Sequence, residues 1–189
     1  IGMGDFNDLL VGGGGDDVLY GLGGGDRFFG NDGFDTVSYA QSGVGLYVFL
    51  RDLGHATGEA AGDGDFSSIE SIIGSNFNDI LGMGDFADTL IGGGGDDQLW
   101  GLGGNDTFYG GSGSDLYVYN GAGFGSDTIM DWQDGADRID FSRYAGADFS
   151  DLALTQEGGG VRVTFGADSI LIAGALVANV TAADFIFGP

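Results

Sequence analysis

Aspartates recur at nine-residue steps along this chain, each two positions ahead of a large apolar residue. In Gly92-Gly93-Gly94-Gly95-Asp96-Asp97-Gln98-Leu99-Trp100 the sixth residue is Asp97 and the eighth is Leu99. The next nine residues, Gly101 to Tyr109, put Asp106 and Phe108 in those slots; the nine after that, Gly110 to Val118, put Asp115 and Tyr117 there. Runs of glycine permit positive φ and close approach of the backbone to a ligand. A tight turn of this kind points several carbonyls inward, and the Asp adds a carboxylate at its end. Carbonyls and carboxylates make a hard oxygen cage, which suits Ca²⁺ with its six to eight oxygens at about 2.3–2.6 Å. The chain has no Cys and one His, His55. A thiolate site and a multi-His zinc site are therefore both excluded.

The elements that must position these carboxylates are short. Residues seven to nine of each unit have room only for a brief strand, with the eighth side chain facing inward. One such coil cannot close a core, so coils must stack. Stacking brings the aspartates into register, where like charges destabilise the stack. A cation between the coils turns the same charges into ligands, so folding is expected to depend on the ion.

The repeat extends well beyond three copies. Backwards, Met83–Ile91 carries Asp88 and Leu90, and Gly74–Gly82 carries Asp79 and Leu81. One step earlier, the nine residues 65–73 put Glu70 in the acidic slot and Ile72 in the apolar slot. Forwards, three inserted residues after Val118 restore the frame with Asp127 and Ile129, and one more at Asp131 gives Asp137 and Ile139. A second array opens the chain, with Asp8, Asp17, Asp26 and Asp35 sixth and Leu10, Leu19, Phe28 and Val37 eighth. Residues 1–40 and 81–120 are copies of each other, identical at about 24 of 40 positions.

Composition supports a cation ligand and excludes several other partners. Of 189 residues 42 are Gly, 29 are acidic and five are basic, all Arg, for a net charge of −24. Nucleic-acid binding needs clustered Lys or Arg, which this chain lacks. An anionic membrane surface would repel it, and no apolar stretch has the length of a membrane span. The start lacks a basic, apolar leader and falls in mid-pattern, so the sequence reads as a fragment of a longer protein.

The nonapeptide G-G-x-G-x-D-x-U-x, with U large and apolar, resembles the RTX calcium-binding repeat. The resemblance implies an all-β fold: a parallel β-roll, that is, a right-handed β-helix of nonapeptide repeats, here as two stacked arrays with a C-terminal β cap. It implies several Ca²⁺ ions between stacked turns. Their carboxylates would come from Asp8, Asp17, Asp26 and Asp35 in the first roll and from Asp79, Asp88, Asp97, Asp106 and Asp115 in the second. Their carbonyls would come from Gly12, Gly14, Gly21, Gly23, Gly92, Gly94, Gly101 and Gly103. Three departures matter. Phe6, Phe77 and Phe86 replace the fourth-position glycine, which marks incomplete turns or caps. Glu70 replaces Asp and is left out of the metal set. Asp127, Asp131, Asp134 and Asp137 are irregularly spaced and read as a solvated surface, the alternative being a further ion site.

The arrays span 1–38 and 74–140, the second degenerate after 118. The segment 39–73 is expected to continue the stack with longer turns. In the tail, 141–189, the stretches 152–155, 161–165 and 169–172 read as strands, the first two joined by a hairpin at Gln156-Glu157-Gly158-Gly159. Thr181-Ala182-Ala183-Asp184 reads as a short helical turn before Phe185. This tail resembles the C-terminal cap of secreted RTX proteins, which often carries a type I secretion signal.

No catalytic constellation emerges. Abundant carboxylates guarantee chance acid/base pairs, and Ser38, Ser42 and Ser142 lack a nucleophile-elbow context. The expectation is a non-enzymatic, secreted calcium-binding module that folds on meeting extracellular Ca²⁺ and supports type I secretion. The alternative is a calcium-dependent carbohydrate-binding or adhesive module for an extracellular polysaccharide, with Trp100, Trp132, Tyr20, Tyr109 and Tyr117 as a stacking platform.

Overall fold

The eighth residue of each repeat drives its strand. Leu10, Leu19, Phe28, Val37, Ile72, Leu81, Leu90, Leu99, Phe108, Tyr117, Ile129 and Ile139 are all 2% exposed or less and share one core. A computed structural model describes residues 6–50, 55–57 and 64–189. The opening of the first nonapeptide, Met3 to Asp5, and residues 51–54 and 58–63 of the linking segment lie outside the described residues.

The first array forms β1 (Leu9–Gly14), β2 (Val18–Tyr20), β3 (Arg27–Asp32) and β4 (Thr36–Ser38). The linking segment adds β5 (Tyr47–Phe49), β6 (His55–Thr57) and β7 (Gly64–Ser67). The second array forms β8 (Ser71–Ile73), β9 (Ile80–Gly82), β10 (Thr89–Gly94), β11 (Gln98–Trp100), β12 (Thr107–Ser112), β13 (Leu116–Val118), β14 (Ser126–Ile129) and β15 (Arg138–Phe141). The tail supplies β16 (Ala153–Glu157), β17 (Gly160–Phe165), β18 (Asp168–Ala173) and β19 (Phe185–Phe187).

Within each array a strand pairs in parallel with the strand two further on, so two nonapeptides make one coil. Leu10 pairs with Phe28, Leu19 with Val37, Leu90 with Phe108 and Leu99 with Tyr117. Alternate strands fall on opposite sides of a parallel β-roll. One side is a nine-stranded sheet, β16-β17-β18-β14-β12-β10-β8-β4-β2. The other side comprises a three-stranded sheet, β1-β3-β7, and a seven-stranded one, β19-β15-β13-β11-β9-β5-β6. The insertions after Val118 keep the core in register: Phe108 meets Ile129 and Tyr117 meets Ile139.

The linking segment shifts the phase. β10 is the sequence copy of β1, yet it lies in the nine-stranded sheet while β1 lies opposite. The cause is the path from β4 to β8. It runs through the antiparallel pair β5–β6, then β7 stacks on β3 and β8 on β4. The second array therefore starts half a coil out of step, without breaking the nine-stranded sheet.

The tail closes the stack. β18 adds in parallel to β14 and β19 to β15, and β16–β17–β18 form an antiparallel meander. Capping boxes at Asp148/Asp151 and Thr181/Asp184 hold two single 3₁₀ turns. Phe141 packs on Tyr119, Tyr144, Phe165, Phe185 and Phe187 at 5.3–6.2 Å between ring centres, filling the end of the roll. Among the described residues no helix is long and apolar enough to cross a membrane.

Leu99 sits fully buried in the middle of this column. Leu99→Ala should destabilise the folded roll by about 2–5 kcal/mol. Urea unfolding at saturating Ca²⁺ measures it, and an unchanged midpoint would mean that this column does not carry the core.

Candidate metal centre

The sixth-position aspartates sit at the ends of the turns and are stacked by the strands on either side. Asp26, Asp35, Asp79, Asp88, Asp97, Asp106 and Asp115 are each 5% exposed or less; Asp8 and Asp17, nearer the open end, are half-buried. They form ladders. The amide of Asp8 donates to Oδ1 of Asp26 at 2.9 Å, and that of Asp17 to Asp35 at 2.9 Å. In the second array Asp79 donates to Asp97 (2.8 Å), Asp97 to Asp115 (3.0 Å) and Asp88 to Asp106 (3.0 Å).

One reading from the sequence is corrected here. Asp127 and Asp137 are not solvated surface: both are 1% exposed and extend the ladders, accepting from Asp106 and Asp115 at 2.9 and 3.0 Å. The insertions lengthen the turn without moving the sixth residue. Asp131 is also in use, taking the amides of Gly110 and Gly111 at 2.9 Å each, while Asp134 stays exposed. Glu70, set aside for being the wrong acid, fills a rung: its Oε2 accepts from the Asp35 amide at 2.8 Å. It joins the first array's ladder to the second array's sheet.

A further ladder escaped the sequence reading. The fifth-position side chains of Asn7, Asp16, Asn78, Asp96 and Asn105 accept the amide of the fifth residue one coil on, at 2.8–3.0 Å. The signal was available, because Asn or Asp recurs at that slot, but the slot was read as unconstrained.

The glycines divide by position. A Cβ at first-position Gly12 would lie 2.8 Å from Oδ2 of Asp17 and 2.9 Å from the Gly30 carbonyl. At Gly92 it would meet Asp97 and, at 2.6 Å, the Gly110 carbonyl; at Gly101 it would meet Asp106. Gly21 is cleared instead for the Tyr39 ring, Gly23 lies in the bend before Asp26, and Gly14 faces open space. Gly94 and Gly103 have no neighbour to a Cβ closer than 3.3 and 3.5 Å.

Oxygen Oδ2 of Asp8, Asp17, Asp35, Asp97, Asp106, Asp115 and Asp127 is buried with no hydrogen-bond partner. A buried unpaired polar atom costs about 1–3 kcal/mol, and more when charged. Burial accordingly pushes the carboxyls of Asp97, Asp106, Asp115 and Asp127 up. Asp97 and Asp106 rise to about 8, Asp127 to about 7, and Asp88 and Asp115 to about 6, with the neighbouring carboxylates adding to the effect. Among the described residues no three Asp, Glu or His side chains converge on one point. A cation here would take one or two carboxylates and complete its shell with turn carbonyls, an all-oxygen set that fits Ca²⁺.

The RTX calcium-binding nonapeptide repeat, as a family of four-copy units, matches residues 4–37 and 84–117. Both arrays are RTX calcium-binding repeats. Among solved structures, these RTX arrays and their flanks are similar to extracellular lipase LipA from Serratia marcescens, at 17% identity and a TM-score of 0.39 over 96% of this chain and 38% of that one. They are also similar to the AlgE6R3 subunit of the mannuronan C5-epimerase from Azotobacter vinelandii, at 25% identity and a TM-score of 0.28 over 60% of this chain and 80% of that one. The chain thus spans well under half the length of the lipase. No curated protein matches it.

The aromatic residues do not form one platform. Tyr117 is core, Trp132 packs on it at 6.1 Å, and Trp100 is held between Phe49 (5.7 Å) and the Arg143 guanidinium (5.0 Å).

The raised carboxyls set a pH dependence for the metal-free RTX roll. Unfolded, an Asp titrates near about 3.9; folded, Asp97 and Asp106 hold their protons to about 8. Between these values the folded state binds more protons, so stability falls as pH rises. In metal-depleted buffer the chain should resist urea better at pH 5 than at pH 8. Ca²⁺ must displace those protons, so its affinity should rise over the same range. Equal urea midpoints at the two pH values would contradict this.

Proposed function

We propose that this chain is a calcium-driven folding module of a secreted protein, and that it binds rather than catalyses. One observation carries the reading: a file of buried carboxylate oxygens without partners, those of Asp17, Asp35, Asp97, Asp106 and Asp115 each beside the first-position glycine of its own turn. Five such groups cost roughly 5–15 kcal/mol together, as much as the whole stability of an ordinary domain. Ca²⁺ supplies the missing positive charge and binds oxygen alone. Asp97, Asp106 and Asp115 hold it in the second array and Asp17 and Asp35 in the first, with glycine carbonyls of the same turns completing the shell.

Extracellular calcium modules bind at about 10⁻⁴–10⁻³ M. At millimolar Ca²⁺ each site adds roughly 1 kcal/mol, and several sites on one stack act together. At the far lower free calcium of a cytosol the module stays unfolded, which suits export through a type I channel, and it folds outside. Support for an export role is this arithmetic together with the RTX repeats themselves.

The test is far-UV circular dichroism during a Ca²⁺ titration of a chelator-stripped sample, with Mg²⁺ in parallel. A cooperative gain of β signal with Ca²⁺ and little with Mg²⁺ is expected. A β-rich spectrum that Ca²⁺ leaves unchanged would overturn the folding role.

A further inference from the structure

The ladder aspartates differ in one respect that repeat position does not predict. At Asp79 the amide of Ser75, four residues earlier, donates to Oδ2 at 2.5 Å, the Ser75 hydroxyl donates to Oδ1 at 2.8 Å, and the Leu46 amide donates to Oδ1 at 2.7 Å. At Asp88 the amide of Gly84 donates to Oδ2 at 3.1 Å. At Asp137 the amide of Gln133 donates to Oδ2 at 2.8 Å. The donor to Oδ2 is in each case the second residue of its repeat. Asp97, Asp106 and Asp115 have no such donor, and their Oδ2 is unpaired.

The difference follows the backbone of that second residue. Ser75, Gly84 and Gln133 keep ordinary negative or extended φ, and their N–H points into the carboxylate. Gly93, Leu102 and Gly111, the second residues before Asp97, Asp106 and Asp115, have φ of +111°, +71° and +96°. The left-handed conformation turns the amide away: that of Gly111 goes to Asp131 in the next coil. The rule holds in the first array. Gly13 and Asn31, at +116° and +75°, precede the unpaired Asp17 and Asp35. Leu22 keeps an ordinary φ, and Asp26 leaves no buried oxygen unpaired. Gly123, at +86°, precedes Asp127, whose Oδ2 has no backbone donor and has the buried Tyr119 hydroxyl beside it.

We infer that the second residue of each repeat decides whether its turn takes a cation: turned left-handed it frees the aspartate for Ca²⁺, and otherwise its own amide closes the turn without one. The cation-holding aspartates are then Asp17, Asp35, Asp97, Asp106, Asp115 and Asp127. Asp79, Asp88 and Asp137 are closed by the protein. They lie at the two ends of the second array, where there is a neighbouring RTX turn on one side only. Leu102 and Asn31 fit this division. A side chain in the left-handed region costs about 1–2 kcal/mol, and both stand at turns whose aspartate is open.

The inference rests on the calcium reading above. Native mass spectrometry of the full chain at saturating Ca²⁺ counts the ions on the folded species. Asp97→Asn, Asp106→Asn and Asp115→Asn keep the acceptor of the ladder bond and remove the charge, so each should lower the count. Asp79→Asn and Asp88→Asn should leave it at the wild-type number, at some loss of stability. Should Asp79→Asn not fold, Ser75→Ala removes one closing donor and must also leave the count unchanged. A fall in the count for Asp79→Asn, Asp88→Asn or Ser75→Ala, or none for the other three, would overturn the inference. A wild-type chain that carries no Ca²⁺ would instead overturn the calcium reading itself.

Discussion

The structure turns on carboxylates stacked in register inside a roll. Each ladder bond, from the amide of one Asp to Oδ1 of the Asp one coil on, fixes the coil spacing and brings like charges together. The two consequences cannot be separated, because the bond that orders the turn also draws the charge out of water. Asp97 shows the result: a carboxyl pushed up to about 8 by burial, with Asp79 and Asp115 above and below it. The unmet demand for positive charge lies in the geometry itself. It persists however well the apolar column packs.

That column plays the opposite part. Its residues are interchangeable in kind, since Leu90, Phe108 and Ile129 follow one another in one sheet and Leu99, Tyr117 and Ile139 in the other. Burial of each is favourable whatever the ion does. On the proposed reading, the balance between a core that favours the roll and a ladder that opposes it is what would let calcium act as a switch, and a roll with a stronger core or fewer open carboxylates would fold without the ion.

The ends are built differently from the middle. The C-terminal end is filled by aromatic rings around Phe141 and closed by an antiparallel meander, with no repeat and no open ladder oxygen. The junction between the arrays is handled by Glu70, whose longer side chain reaches the Asp35 amide where the phase shifts. Both regions replace the regular aspartate by side chains suited to one place.

Periodicity alone made much of this legible. The nine-residue spacing identified the core column and the ladder residues, because each slot has one environment repeated many times. The insertions after Val118 were visible for the same reason. The role of Glu70 was not, since a different acid in the slot looks like a lost site until Asp35 is seen beside it. The burial of Asp127 and Asp137 was hidden because irregular spacing says nothing about where a longer turn returns.

The sequence by itself determined the repeat, the stacking of short strands, the all-oxygen character of the site and the acidic excess, all of which follow from residue type at fixed intervals, while the β-roll came from the resemblance to RTX repeats. Only the tertiary structure decided which aspartates are open. That depends on the sign of one backbone angle at the second residue. Gly84 and Gly111 have the same side chain, or lack of one, yet Gly111 is turned left-handed with its amide on Asp131 while Gly84 is not and closes on Asp88.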